Sequence, residues 1–289
     1  MLCGKTYTEE HARLFAPMTV PEDKGLLAIQ LLIEGTSVRT VERITSLHRD
    51  TILRLLVLAG ERCIALMDTK MRNLRCKRVQ ADEIWSFVAK KQKNVRIGDS
   101  AEFGDAWVFV VLDADTKLIP SYMVGKRNRE TTYTFLSDLK QRFAPEHRFQ
   151  LTTDGFHFYE RGVEDVFAGL ADFAQITKIY GDYGQHDAAG RYSPAQMIET
   201  IVKVRDGRPD PRHISTSYVE RQNLTIRMAI RRFTRLTNAF SKKLDNHKAA
   251  CALHFAYYNF CRIHKSLRVT PAMESGITDH IWSLRELLA

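Results

Sequence analysis

Three acidic residues, Asp82, Asp154 and Glu220, stand where their surroundings give a carboxylate work to do. Asp82 interrupts a run of strand-forming residues that includes Val79, Ala81, Ile84, Trp85 and Phe87. A carboxylate in such a strand loses hydration at a cost unless something pairs with it, and a bound cation would do so. Asp154 ends a second apolar run, residues 149–153, and precedes Gly155, while Glu220 falls near the start of a long helical pattern. Magnesium takes few protein ligands, mostly carboxylates, and keeps water and phosphate oxygens for its remaining positions. Two such ions about 3.5 to 4 Å apart activate the attacking oxygen and stabilise the leaving one in phosphoryl transfer. Singly, each acid has a plainer role: Asp82 facing solvent, Asp154 opening a turn with Gly155, Glu220 complementing a helix dipole. Glu83 follows Asp82 directly, should point to the opposite face of the strand, and is left outside the expected ligand set.

The elements that must position these acids follow from hydrophobic period and turn chemistry. A period of two from Arg78 predicts a strand through Val88, a second over 107–112 and a third over 118–124, the last two joined as a hairpin by the turn residues 113–116. A helix is expected over 131–143, then the strand 149–153, a helix near 163–170 and a fifth strand near 174–180. Residues 181–212 hold four Gly and three Pro and read as a flexible loop or insertion. A long helix capped near Ser217 runs to about residue 237, another spans about 247–262, and a short helical tail follows Pro271. This order predicts an α/β fold, a five-stranded mixed sheet with flanking helices of the ribonuclease-H-like kind.

Ahead of the sheet, residues 21–67 repeat apolar positions every three or four residues, with Gly35 breaking the first helix. A short helix over Val38–Thr45, a turn at Ser46 and Leu47 and a helix over about 50–56 form a helix-turn-helix, an all-α DNA-binding domain. His48, Arg49, Thr51 and Arg54 lead its third helix and would face the major groove; a plain helical hairpin is the alternative. The expected division is a tail over 1–20, the helix-turn-helix domain over 21–76, the sheet domain over 77–240 and a C-terminal helical segment over 241–289.

Composition points to a polyanion as partner. Among 289 residues, 43 Lys and Arg outnumber 34 Asp and Glu, a formal charge of +9. Residues 221–248 hold eight basic residues against Asp245 alone, which suits a phosphate track or else a solvated helix face. Asn223 and Arg227 share a helix face with Glu220, Arg231 continues that stripe, and Arg232 and Arg235 lie at neighbouring angles. All five are therefore candidate DNA contacts. Five widely spaced cysteines without a close CxxC pair fit a reducing cytoplasm rather than a secreted disulfide framework. The most apolar stretch, residues 51–67, is interrupted by Arg54, Glu61 and Arg62, so no membrane span is expected, and no signal peptide is visible.

Several separated segments together resemble the transposases of bacterial insertion sequences with an Asp, Asp, Glu catalytic set, members of the retroviral-integrase superfamily. They are Ala81-Asp82-Glu83-Ile84-Trp85-Ser86-Phe87-Val88, Thr153-Asp154-Gly155 and Tyr218-Val219-Glu220-Arg221-Gln222-Asn223-Leu224-Thr225-Ile226-Arg227, with Tyr258-Asn259-Phe260-Cys261-Arg262-Ile263-His264-Lys265-Ser266-Leu267 and Thr270-Pro271-Ala272-Met273 near the end. The resemblance implies that Asp82, Asp154 and Glu220 are the catalytic and metal-ligating residues, holding two Mg2+ or Mn2+ ions. It implies cleavage and strand transfer at insertion-sequence ends. Water would attack the phosphodiester, and the freed 3′ hydroxyl would then attack target DNA, with no covalent enzyme intermediate. The expected partners are double-stranded terminal repeats and target DNA, bound by a homo-oligomer at the nucleoid of a bacterial or archaeal cytoplasm. A catalytically inactive, transposase-derived DNA-binding regulator is the alternative, and a nuclease without strand transfer a third possibility.

Three further signals are discounted. Leu2-Cys3-Gly4-Lys5-Thr6-Tyr7 resembles the last knuckle of a zinc ribbon, but the other three ligands are missing, so the chain reads as a shortened version that binds no zinc there. Cys251 with His254 and Cys261 with His264 lie on or near one apolar helix, where a Cys acts as a small hydrophobe. Asn223-Leu224-Thr225 matches a glycosylation sequon within a predicted helix.

Overall fold

A computed structural model of the chain describes residues 13–181, 197–234 and 237–289. Its centre is a six-stranded sheet made of β1 (Arg78–Val88), β2 (Gly104–Asp113), β3 (Ser121–Gly125), β4 (Phe149–Asp154), β5 (Ala171–Tyr180) and β6 (Met197–Asp206) in the order β3-β2-β1-β4-β5-β6. β2 runs antiparallel to both β1 and β3, β4 runs parallel to both β1 and β5, and β6 closes the far side antiparallel to β5. An antiparallel three-strand meander followed by two parallel strands through helices is the ribonuclease-H-like arrangement. Val108 to Leu112 of β2 are all buried, as a strand must be when both faces of its sheet are covered.

The parallel strands need crossovers, and α4 (Arg129–Arg142) and α5 (Phe158–Phe167) supply them, packing against each other on one face. The other face takes α6 (Ser217–Ala229) and α7 (Leu244–Phe260), whose Phe255 lies 4.5 Å from Tyr122 of β3, ring centre to ring centre. Three helices precede the sheet: α1 (Glu22–Ile33), α2 (Val38–Thr45) and α3 (Arg49–Lys70). Ser37 caps α2 by accepting the Thr40 amide at 3.2 Å, and Ser46 turns the chain in a left-handed conformation before α3. α3 runs far beyond residue 56 because its buried stripe continues through Ala59, Cys63 and Met67 onto α7. The two helices approach closely at Gly60, where an added Cβ would sit 2.5 Å from Ala249 Cα. Helices and sheet share one continuous buried core. Two four-residue helices, α8 (Pro271–Glu274) and α9 (Leu284–Leu287), finish the chain. No helix among the described residues is long and apolar enough to cross a membrane.

Two expectations need correction. The sheet has six strands rather than five, because residues 197–206, expected within a loop, form β6. Every Gly and Pro of the 181–212 window lies outside that stretch, at 181, 184, 190, 194, 207, 209 and 211, and the ten residues between carry Ile, Thr and Val instead. Residues 182–196 of that window lie outside the described residues, as do residues 1–12 with their Cys3 knuckle. The helix after Ser217 also stops at Ala229 rather than near 237, with Arg231 to Phe233 forming a separate 3-10 turn. No Gly or Pro marks that stop; Ile230 and Phe233 both turn into the core, and Gly35 packs its backbone against the Met228 and Ala229 carbonyls.

Candidate active site

β4 pairs with β1 only as far as Ala81 and Thr153, so β1 continues past the end of β4 with that edge open. Asp82 is the first residue of the open stretch, and Asp154 ends β4 beside it. Asp82 Oδ1 accepts the Glu83 amide at 2.8 Å, and Oδ2 accepts Asn223 Nδ2 of α6, also at 2.8 Å. Burial, then the charge of Asp154, lifts the Asp82 carboxyl to a pKa of about 6, and Glu220 contributes further.

Glu83 was expected to stand apart, and its side chain does face away from α6, toward Tyr159 of α5. Its extra methylene and the open strand edge nevertheless bring its carboxylate round to Asp154. Oxygens of Asp82, Glu83 and Asp154 all lie within 4.8 Å of one another. Glu83, left out of the expected ligand set, thus stands with Asp82 and Asp154. Burial and Asp154 push its pKa up to about 7. One of its oxygens, Oε1, and the adjacent Tyr159 hydroxyl are buried without a well-formed hydrogen bond.

Arg127, which no sequence signal singled out, reaches into this cluster. Its Nε lies 3.0 Å from Glu83 Oε2 and its Nη2 3.4 Å from Asp154 Oδ2, while its guanidinium covers the Phe156 ring at 3.9 Å. Neighbours hold it there: Lys126 donates to the Phe103 and Asp105 carbonyls, and Asn128 caps α4 by accepting the Thr131 amide at 3.0 Å.

Glu220, in the first turn of α6, is near enough to raise the Asp82 pKa but lies outside the cluster of Asp82, Glu83 and Asp154, its Oε1 engaged by Thr216 Oγ1 at 2.7 Å and by Lys178 Nζ at 2.5 Å. The start of α6 is fixed to β1 by Gln80, whose Oε1 accepts the Tyr218 and Val219 amides at 2.9 and 3.1 Å. Gln80 and Asp82 thus lie two apart on one face of β1 and hold α6 at its first and second turns. The Asp154 turn is clamped by Gln175, whose Nε2 donates to the Asp154 and Phe156 carbonyls at 3.0 and 3.2 Å.

The residues fit a divalent cation on charge and chemistry. With Glu220 paired to Lys178, the carboxylates of Asp82, Glu83 and Asp154 face one guanidinium. Two of the three have raised pKa values, and Glu83 Oε1 and Asn223 Oδ1 are buried without partners. An all-oxygen acid set is the donor chemistry of Mg2+ or Mn2+. It is the one cluster of three or more possible metal ligands among the described residues. Cys251 and His254 form no such cluster: burial pushes the thiol up to about 12 and the imidazole down to about 3, leaving both neutral in the core.

No family model matches the chain, and no curated protein matches it. Among solved structures it is similar to a Mos1 transposase paired-end complex with left transposon end, at 17% identity and a TM-score of 0.25, over 58% of this chain and 62% of that one. The matched part is thus less than two thirds of that Mos1 chain. It is also similar to a piggyBac transposase synaptic complex with hairpin DNA, at 8% identity and a TM-score of 0.39, covering 93% and 70% of the two chains. A Mos1 strand transfer complex gives 16% identity and a TM-score of 0.25 over 86% and 79%. At these scores the likeness adds nothing to the strand order described above.

The remaining predicted site residues fall in two places. His48, Arg49 and Arg54 are exposed and Thr51 half-buried at the leading end of α3, where His48 Nδ1 accepts the Asp50 amide at 3.3 Å. Around α6, Asn223 is bound to Asp82 through its Nδ2. This sequon asparagine is buried. Arg227 and Arg232 line a pocket beside Trp85, and Arg232 donates from Nε to Ser241 Oγ at 2.7 Å. Arg231 does not extend the Glu220 stripe, because the helix has ended before it. Arg235 lies outside the described residues.

Proposed function

We propose that the chain is a DNA transposase that cleaves and rejoins DNA with divalent cations held by Asp82, Asp154 and Glu220, and that Glu83 belongs to the same ligand set. The observation that carries this reading is the excess of buried negative charge where β4 ends against β1. Two bound Mg2+ or Mn2+ ions would supply activation of the attacking oxygen and stabilisation of the leaving one. The chain's own residues do the rest. Asp82 and Asp154 hold fixed positions through Asn223 and the Gln175 clamp. Gln80 sets the start of α6 and so the direction from which Glu220 enters. Lys178 and Thr216 restrain the Glu220 carboxylate, and Arg127 balances Glu83 and Asp154.

DNA would approach along the basic side chains. Arg227 and Arg232 in the pocket beside Trp85, and Arg231 on the turn after α6, would offer phosphate contacts, which position a strand without reading its sequence. His48, Arg49, Thr51 and Arg54 would read the major groove of a terminal repeat. Two ends joined to one target call for more than one copy of the chain, so the working form is proposed to be a homo-oligomer on DNA.

The test is to incubate purified protein, with Mg2+ or Mn2+, and duplexes made from the DNA that flanks its coding region on either side. Cleavage at the repeat end followed by joining to target DNA is expected, and Asp154→Asn should abolish both. Cleavage without joining would indicate a nuclease. Sequence-specific binding with neither reaction would indicate a DNA-binding regulator.

A further inference from the structure

Beyond the acids, part of the open edge of β1 is filled by chain that follows α6. Ser241 bridges to Val88, and its carbonyl accepts the Ala89 amide at 2.8 Å. Between this bridge and the acids lies a pocket of about 540 Å³. Sites for small ligands span roughly 300 to 1,000 Å³. Three half-buried rings line it. Trp85 and Phe87 are two apart on β1, with ring centres 5.8 Å from each other, and Phe240 packs 4.9 Å from Phe87.

Three cations complete the walls: Lys91, Arg227 and Arg232. Burial pushes the Arg232 guanidinium down to a pKa of about 10, and no carboxylate among the described residues forms an ion pair with it. A guanidinium held against protein without an anion is stabilised by an incoming phosphate oxygen. Ring faces stack on any base, and cations beside them take its phosphate. Trp85 is two residues from Glu83 on the same face of β1, on the order of 7 Å along an extended strand. That is the reach of a base one or two nucleotides from a phosphate lying at the acids.

The geometry points to a pocket for one unpaired nucleobase of the DNA end, stacked among Trp85, Phe87 and Phe240, with its phosphate on Arg227 and Arg232. The DNA end would then melt locally when it binds, setting the scissile phosphate against the acids. This inference rests on the DNA-processing reading of those acids, so its test measures binding without catalysis.

Fluorescence anisotropy in EDTA would compare one duplex in two forms, blunt and with a three-nucleotide single-stranded 3′ extension carrying 2-aminopurine. The extended form should bind about 10-fold tighter, the lower part of the range for stacking one base on an aromatic side chain. Its 2-aminopurine should be quenched on binding. Trp85→Ala and Phe240→Ala should each weaken binding of the extended form more than of the blunt one and bring the ratio to within about twofold, and Trp85→Phe should retain the preference. Circular dichroism identifies any variant that fails to fold. In that case the wild-type ratio, the quenching and the remaining variant decide. Equal binding of the two forms by the wild-type protein overturns the inference, as does a preference that survives both alanine substitutions. Cutting and joining in magnesium without an extension preference refutes the pocket alone. A preference without cutting refutes the catalytic reading alone.

Discussion

Replacing Asp82 by Asn should stabilise the cation-free protein. The Asp82 carboxyl has its pKa raised from 3.8 to about 6, by burial first and then by Asp154. The folded state therefore holds the proton more tightly than the unfolded chain, and the ionised side chain costs stability. That cost is absent below the unfolded value, grows as pH rises through this window and is complete above the folded value. Two pK units correspond to on the order of 3 kcal/mol. Asn can still accept the Glu83 amide. Its new N–H can donate to Asn223 once that side chain rotates to present Oδ1, which now lacks a partner. Allowing for that rearrangement, a gain of roughly 1 to 3 kcal/mol remains. At roughly 2 to 4 °C per kcal/mol, the melting temperature should rise by about 5 °C. Scanning calorimetry at pH 8 in EDTA would show the rise, and at pH 4 the two proteins should converge. Added Mg2+ should raise the wild-type melting temperature and leave Asp82→Asn nearly unmoved. An Asp82→Asn protein that melts at or below the wild-type temperature in EDTA at pH 8 would refute the picture of mutually repelling buried acids.

Arg127→Ala should have the opposite sign, lowering the melting temperature in EDTA and enlarging the gain from Mg2+. The cost is roughly 2 kcal/mol, below that of a fully buried pair because the Arg127 side chain is 32% exposed. Gln80→Ala strands two amides at the start of α6 and should cost about 2 kcal/mol, with faster hydrogen exchange at Tyr218 and Val219 as the local readout. Gly60→Ala should cost about 1 to 3 kcal/mol in urea unfolding, because α3 and α7 must part to admit the methyl group. His247 is held neutral, its pKa lowered from 6.5 to about 3 by burial and by Arg232. Its contribution is therefore present above the unfolded value and lost as pH falls toward the folded one. Between pH 7 and 5 the wild-type protein should lose about 2 kcal/mol more stability than His247→Gln, read from urea midpoints.

The order of strands and helices was legible because period-two and helical patterns alternate cleanly from Arg78 to Tyr180. β6 was hidden because Gly and Pro on both sides of it give the whole window a loop-like average. The end of α6 left no mark in the sequence, since Ile230 and Phe233 leave the helix to reach a core assembled from distant segments. Strand alternation placed Glu83 on the correct face yet missed its carboxylate, because where β1 outruns β4 a long side chain can reach round the edge. Arg127 was invisible for a related reason: a cation after a strand gains meaning only once folding brings Glu83 and Asp154 to it.

The most direct test of the account is a crystal structure of the protein with Mn2+ and a DNA end, with the metal located by its anomalous scattering. Two peaks about 4 Å apart are predicted, bound by Asp82 and Asp154 with Glu83 or Glu220 completing the set. Manganese bound only at other side chains, with these carboxylates still facing Arg127 and Lys178, would contradict it.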